Sequence, residues 1–409
     1  MVAVDLRFLS EAEGKKGECL TSFSIYVAEL LDEFERRGLA DFFILLIPVH
    51  AKKMVQMRFA GYSFISTDCF ITSLIKRICS FFFPKRTSLR YWLDERLMKS
   101  IFKWKVLVNG FRISTIWMPL FTPQYSCLEN FKTVLTIHDL MIWKNDCKKD
   151  VNSPHLMTFK RNLIGSQKIV AVSEFTAEGI RKEFCDVFQK IVVIPEPVSI
   201  GIDREPAGND KIKCALNKGY ILNINGFGSH KNTMSLLKAF WNISDKIELN
   251  LVCIGAWAEN SYFKLLQEYC KDKGIENRVM FLKGISAEER NYFLHHASLF
   301  VTPSLKEGFG RSPVEAAICE VPVISSKSDS LPEATRGLVH YYDDPYNDQE
   351  LGMMMLNVLK EPDSKKKLQE ISKELFNYYD VKRCTDKYLD VLGLGEKSEF
   401  TPRTGGLSA

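Results

Sequence analysis

Two successive series of short apolar runs, each followed by an amphipathic stretch, dominate this sequence and leave few architectures open to it. In the first half the runs at 2–8, 43–49, 106–108, 133–137, 168–172 and 191–194 read as strands. A second set follows at 220–224, 248–254, 279–282, 299–301, 321–324 and 339–341. Segments such as 22–37, 176–184, 233–243, 260–273, 287–296 and 313–319 carry the spacing of helices between them. Strands that alternate with helices imply parallel βαβ units and doubly wound α/β sheets. Two such series imply two Rossmann-like domains, and 409 residues suit that number at ~100–200 residues each. The break between them is expected within 195–217, where Pro195, Pro197, Gly201, Pro206, Gly208, Asn209 and Asp210 interrupt regular structure.

The remaining composition excludes whole classes. With 46% hydrophobic and 26% charged residues the chain is neither disordered, collagen-like nor supercharged. Its eleven cysteines are odd in number and scattered, with no C-x-x-C and no zinc spacing, so reduced thiols in a cytoplasm are expected rather than a disulfide scaffold. No signal peptide is read before the first strand. The longest apolar run, 42–49, is far short of the ~20 residues that span a bilayer. A cytoplasmic protein, free or peripheral on the inner face of a membrane, is the expectation.

Chemistry concentrates in the second half. The segment from Tyr220 through Gly226, Gly228, His230 and Lys231 is a strand, a glycine-containing turn and a helix start. Bare amides and a helix dipole face such a turn, its glycines let a phosphate approach, and Lys231 adds a positive charge. A dinucleotide fingerprint is almost present but fails, because its last glycine position is Lys231. A sharper pattern lies at Glu307-Gly308-Phe309-Gly310, followed by Ser312 and Pro313 as the expected N-cap and first helical residue, and then by Glu315. Two carboxylates flanking a helix start suit the paired hydroxyls of a sugar or ribose, with an anion held between them.

These residues resemble the retaining glycosyltransferases of family 4, the glycosyl transferases group 1, through most of the second half. The resemblance implies a GT-B fold, two facing Rossmann-like domains with a C-terminal helix that crosses back to the first. Domains at 1–200 (plus 376–393, the crossing helix) and 201–375 would then bind acceptor and donor respectively, with 394–409 a disordered tail rich in Gly, Ser, Thr and Pro. It further implies that Glu315 binds the donor ribose, that Glu307 meets the transferred sugar, and that Gly308, Phe309 and Gly310 support sugar and phosphate. Gly226, Gly228 and Lys231 would hold the pyrophosphate. Where the family commonly has Arg before that lysine, this chain has His230, a weaker phosphate partner when neutral.

Three landmarks in the first half extend the resemblance. His138, at a strand end followed by Asp139, matches the family histidine that faces the transferred sugar. Ser173 matches a second strand end opposite the donor, or equally caps the helix that follows. Gly14 and Gly17 occupy the place of a phosphate and acceptor loop, without its exact glycine pattern, and Pro195-Glu196-Pro197 replaces an Asn-Gly.

Charge is uneven. Residues 52–105 hold twelve basic and three acidic residues, an excess of nine against five for the whole chain. Phe70, Ile71, Leu74, Ile75, Ile78, Phe81 and Phe82 recur there at helical spacing. That pattern fits a helix on anionic lipid or one buried against the first sheet.

The expected activity is retaining, metal-independent transfer of a hexose from a nucleoside diphosphate sugar, with no other cofactor. The acceptor is expected to be a glycan or lipid-linked glycan of surface polysaccharide biosynthesis, with no nucleic-acid partner. A GT-B-like sugar-nucleotide epimerase, a glucan synthase and a catalytically inactive binding subunit are the alternatives.

Overall fold

The computed structural model describes residues 1–9, 22–66, 110–121, 131–141, 143, 153–200, 219–255 and 261–395. Gly14, Gly17, the strand expected at 106–108, the helix expected at 70–82 and the tail beyond residue 395 lie outside the described residues. The chain divides into two compact units, Met1–Pro197 with Val381–Ala409 and Val198–Asp380.

In the first unit the described strands are β1 (Val2–Asp5), β2 (Phe43–Ile47), β3 (Ser63–Ser66), β4 (Thr115–Met118), β5 (Lys132–Ile137), β6 (Lys168–Ala171) and β7 (Ile191–Val193). They form one parallel sheet in the order β3-β2-β1-β4-β5-β6-β7. Successive side chains alternate between faces, and both faces are buried. Val2, Val4, Phe43, Leu45, Ile47, Trp117 and Val134 join one core, against helices Ser22–Arg36 and Val381–Leu392. Ala3, Ile44, Leu46, Ile116, Met118, Leu135 and Ile137 join the other, against helices Pro154–Gly165 and Glu174–Glu183.

The helix Val381–Leu392 is held to this unit by polar as well as apolar contacts. The buried hydroxyls of Tyr388 and Tyr26 are hydrogen-bonded, and Arg37 donates to Asp386 at 2.5 Å. It follows helix Lys365–Tyr378 after a break at Tyr379 and Asp380, which is where the chain leaves the second unit.

The second unit carries β8 (Tyr220–Ile224), β9 (Asn250–Ile254), β10 (Val279–Leu282), β11 (Leu299–Thr302), β12 (Val323–Ser326) and β13 (His340–Tyr342). They make a parallel sheet in the order β10-β9-β8-β11-β12-β13. Ile221, Leu251, Cys253, Leu299, Val301 and Ile324 pack on one face with Leu236, Leu237 and Phe240 of helix Thr233–Ile243. In both units the strand order reverses between the first strand and the fourth, β1/β4 and β8/β11. Ligands of open α/β sheets bind beyond the carboxyl ends of the strands at such a reversal.

Two strands differ from expectation. Ser63–Ser66 and Thr115–Met118 are not apparent as apolar runs, being four residues long, the first with serine at both ends and the second starting on threonine. Both are recruited by pairing, β4 lying between β1 and β5 in the middle of the sheet. The helix after Gly310 begins at Arg311, two residues before the expected start at Pro313, because Gly310 takes the N-cap position with φ 94°.

Candidate functional site

The turn after β8 and the turn after β11 meet where the second sheet reverses its order. After β8, Gly226 is exposed, Phe227 is buried, and Ser229–Lys231 form a short 3-10 turn. Gly228 is a glycine for a local reason: a Cβ there would lie 2.6 Å from the His230 ring, which folds over it. The His230 carbonyl accepts from Leu305 N at 2.8 Å, tying the two turns together. A second tie is ionic, from Lys231 Nζ to Glu307 Oε1 at 2.6 Å.

Asn232 then adopts a left-handed conformation, φ 54°, and spends its side chain on the carbonyls of Pro303 and Pro345 and on Ser235 Oγ. Helix Thr233–Ile243 is therefore left without a side-chain cap. Helix Arg311–Ile318 has none either, since its N-cap is Gly310. In the same unit Ser286, Asn347 and Ser364 do cap the helices Ala287–His295, Asp348–Lys360 and Lys365–Tyr378. Neither start has a side-chain N-cap, though Met234 N donates to the Tyr262 hydroxyl at 3.2 Å, and both place the positive end of the helix dipole at the strand-order reversal.

The Glu307–Gly310 loop is set from behind. Ser330 Oγ donates to the carbonyls of Glu307 and Phe309, both at 3.0 Å, and Glu307 N donates to Asp329 at 3.2 Å. Phe309 is buried edge-on to Tyr379, with ring centroids 5.3 Å apart. Glu315, one turn into the helix, is 1% exposed. Its oxygens accept from Arg311 Nε at 2.9 Å and from Arg290 Nη2. Burial alone pushes this carboxyl up; the Arg290 charge, and after it the Arg311 charge, outweigh burial and hold it below the usual carboxylate range.

The first unit gathers its own polar residues at strand ends. His138 follows β5 and is 6% exposed. Its Nδ1 lies 2.9 Å from Glu196 Oε1 and its Nε2 lies 2.8 Å from the Pro119 carbonyl, which can only accept, so Nε2 carries a proton. Ser173 caps helix Glu174–Glu183: its Oγ accepts from Thr176 N at 3.1 Å and donates to Thr176 Oγ1, which in turn donates to the His138 carbonyl. After β1, Arg7 makes a buried two-pronged pair with Asp5, at 2.5 and 2.7 Å.

The structure thus brings together Gly226, Gly228, Lys231, Glu307, Gly308, Phe309, Gly310 and Glu315 in the second unit, and His138 and Ser173 in the first. Three participants escape sequence reasoning: Arg290 and Arg311, which clamp Glu315, and Glu196, which holds His138. Glu196 alone left a signal, an acid between two prolines. Among the described residues no group of three or more His, Cys, Asp or Glu is placed to hold a metal ion.

Comparison with known proteins bears on both units. Residues 209–375 match the family model described as glycosyl transferases group 1. The chain is 28% identical over 197 residues to the O-antigen chain mannosyltransferase RfbU of Salmonella typhimurium, covering 48% of this chain and 52% of that protein. It is also 28% identical over 213 residues to O-antigen chain mannosyltransferase B of Escherichia coli, covering 49% and 55%. The chain spans about half the length of the curated relatives it matches. Among solved structures, Anabaena Alr3699/HepE in complex with UDP and glucose superposes with a TM-score of 0.69 at 13% identity, over 96% of this chain and 99% of that one. WaaG, a glycosyltransferase involved in lipopolysaccharide biosynthesis, superposes with a TM-score of 0.64 at 11% identity, over the same shares. These likenesses are of fold, two Rossmann-like domains of the GT-B kind, and residues 209–375 carry the match to the glycosyl transferases group 1 family model.

Proposed function

We propose that this protein is a retaining, metal-independent hexosyltransferase that takes its sugar from a nucleoside diphosphate donor. The observation that carries the reading is the pair of uncapped helix starts at the strand-order reversal, joined by the Lys231–Glu307 bridge. A diphosphate leaving group gains charge as the glycosidic bond breaks. Two helix dipoles and the Lys231 ammonium are preorganised positive partners for that charge, and stabilisation of this kind needs no reorganisation during the reaction.

Glu315 accepts the ribose hydroxyls in this reading, and Glu307 accepts from the transferred sugar, with Gly308, Phe309 and Gly310 lending backbone amides. Mannose is the hexose that the O-antigen relatives favour. Attack occurs from the face the diphosphate leaves, assisted by that phosphate. His138, with both ring nitrogens engaged within the first unit, is a fixed polar group rather than a proton acceptor.

The acceptor we propose is a glycan or lipid-linked glycan of surface polysaccharide biosynthesis, met at an anionic membrane surface. Helix Lys52–Arg58 supports the membrane part: Lys52, Lys53, Met57 and Arg58 are exposed, Met57 at 76%. Basic groups near such a surface contribute ~1 kcal/mol each. No helix among the described residues is long and apolar enough to cross a membrane.

Thermal stabilisation by a panel of UDP-, GDP- and ADP-sugars tests the donor site. A donor at about 100 times its Kd adds about 2.7 kcal/mol of stability. Wild type should be stabilised by one of them and Glu315→Ala by none; a wild type indifferent to every donor refutes the reading. Flotation with anionic liposomes at low and high salt tests the surface, and absence of binding at low salt removes it.

A further inference from the structure

Glu315 is the most completely buried carboxylate of the candidate donor site, and two guanidinium groups from different helices share it. Arg311 reaches Oε1 from one turn earlier on the same helix; Arg290 reaches Oε2 from helix Ala287–His295. The side chains of Arg311 and Glu315 are 5% and 2% exposed, that of Arg290 12%, so Arg290 is the most open of the three. Each carboxylate oxygen has two lone pairs, so with one guanidinium on each oxygen the carboxylate retains a free acceptor position on both.

We propose that Arg290 is a positioning residue for donor binding, fixing the Glu315 carboxylate jointly with Arg311 as the acceptor of a vicinal diol. The inference rests on the reading of Glu315 as the ribose ligand and assigns the residue that makes this acceptor usable. An ionised carboxylate accepts from both hydroxyls of a diol; a protonated one offers a donor in place of an acceptor and loses one of those bonds. A carboxyl so deeply buried favours its protonated form unless charge opposes burial. Arg290 is the first opposing charge and Arg311 the second. Without Arg290, Glu315 protonates at a higher pH, and the diol is lost with it.

Other groups around this helix do not duplicate that role. Helix Ala287–His295 also carries Glu288, which is exposed, Glu289, which closes the Ser286 capping box, and His295, 3.9 Å from Cys319 Sγ at the far end. Helix Lys365–Tyr378 reaches the Ile318 carbonyl through the Ser372 hydroxyl; its Lys365, Lys366, Lys367, Glu370, Lys373 and Glu374 are exposed. Strands β11 and β12 bring only apolar and hydroxyl side chains.

The test is calorimetric titration of UDP, and separately GDP, into the full-length protein at about pH 8 and about pH 5.5, the span over which a perturbed carboxyl titrates. Wild type and Arg290→Lys should change affinity by less than about threefold between the two. Arg290→Gln, which keeps a hydrogen-bond donor without the charge, should bind near wild-type strength at the higher pH and at least about tenfold more weakly at the lower, one pK unit being tenfold. Equal weakening of Arg290→Gln at both pH values, or none at either, overturns the proposal. Should Arg290→Gln fail to fold, Arg290→Leu is subject to the same criterion. Glu315→Ala separates the underlying reading: if it binds as wild type does, or if wild type binds neither nucleotide, the donor reading fails whatever the arginine variants show.

Discussion

Replacing Gly310 by alanine should damage the second unit through two separable costs. Gly310 has φ 94°, in the left-handed half of backbone space, where a Cβ costs about 1–2 kcal/mol. The added Cβ would also lie 2.7 Å from Leu331 Cδ2. Leu331 is 0% exposed, so it has no solvent to move into, and overpacking of this kind costs about 1–3 kcal/mol. Together the expected loss is about 2–5 kcal/mol, a large part of a typical domain's stability of about 5–15 kcal/mol. Gly274 supplies the control within the same unit: its φ is +66° but nothing lies within 4 Å of an added Cβ, so Gly274→Ala should lose only the backbone cost. Urea denaturation of wild type and both variants measures the difference, which should be about 1–3 kcal/mol against Gly310→Ala. Adding Leu331→Ala should recover part of the Gly310→Ala loss, as a double-mutant coupling of about 1 kcal/mol or more. If Gly310→Ala and Gly274→Ala are equally destabilised, the packing argument is wrong. The outcome bears on function because Gly310 starts the helix that presents Glu315.

Two further predictions concern buried carboxylates. Glu196→Ala should destabilise the first unit by about 1–3 kcal/mol, the usual cost of leaving a buried polar group without its hydrogen-bond partner, with Glu196→Gln milder because its amide still pairs with His138 Nδ1. Chemical denaturation decides it, and an alanine variant as stable as the glutamine one refutes the pairing argument. For Glu315, whose carboxyl is held below its ordinary value of 4.5, the sign is that of a depressed acid: its stabilisation is present above that value and lost as pH falls through the lower folded one. Unfolding free energy should therefore drop on acidification below about pH 4.5, and more shallowly in Glu315→Gln; identical slopes count against it.

Much of this protein is legible without coordinates because the relevant signals are local. Runs such as 220–224 and 279–282 are strands in their own right, since a short apolar segment between turn residues has few other ways to bury itself. The Glu307 to Glu315 pattern is similarly readable, because a glycine loop running into a helix start is decided within a few residues. Strands 63–66 and 115–118 are not readable in that way; their identity comes from neighbours in the sheet that pair with them.

The same division holds at the candidate site. Residue types and spacing on the chain singled out Lys231, Glu307 and Glu315 in the second unit and His138 in the first. Nothing in the sequence marked Arg290, 25 positions from Glu315, or joined Glu196 to His138 across 58 positions. Neutralising a buried carboxylate depends on distance through space and on exclusion of water, and both exist only once the sheets have stacked their strands and closed their cores. The chain's own order therefore established which chemical groups the molecule has and where the elements that carry them begin and end. Folding alone settled which charges face one another, because electrostatic energy follows separation and burial rather than sequence position.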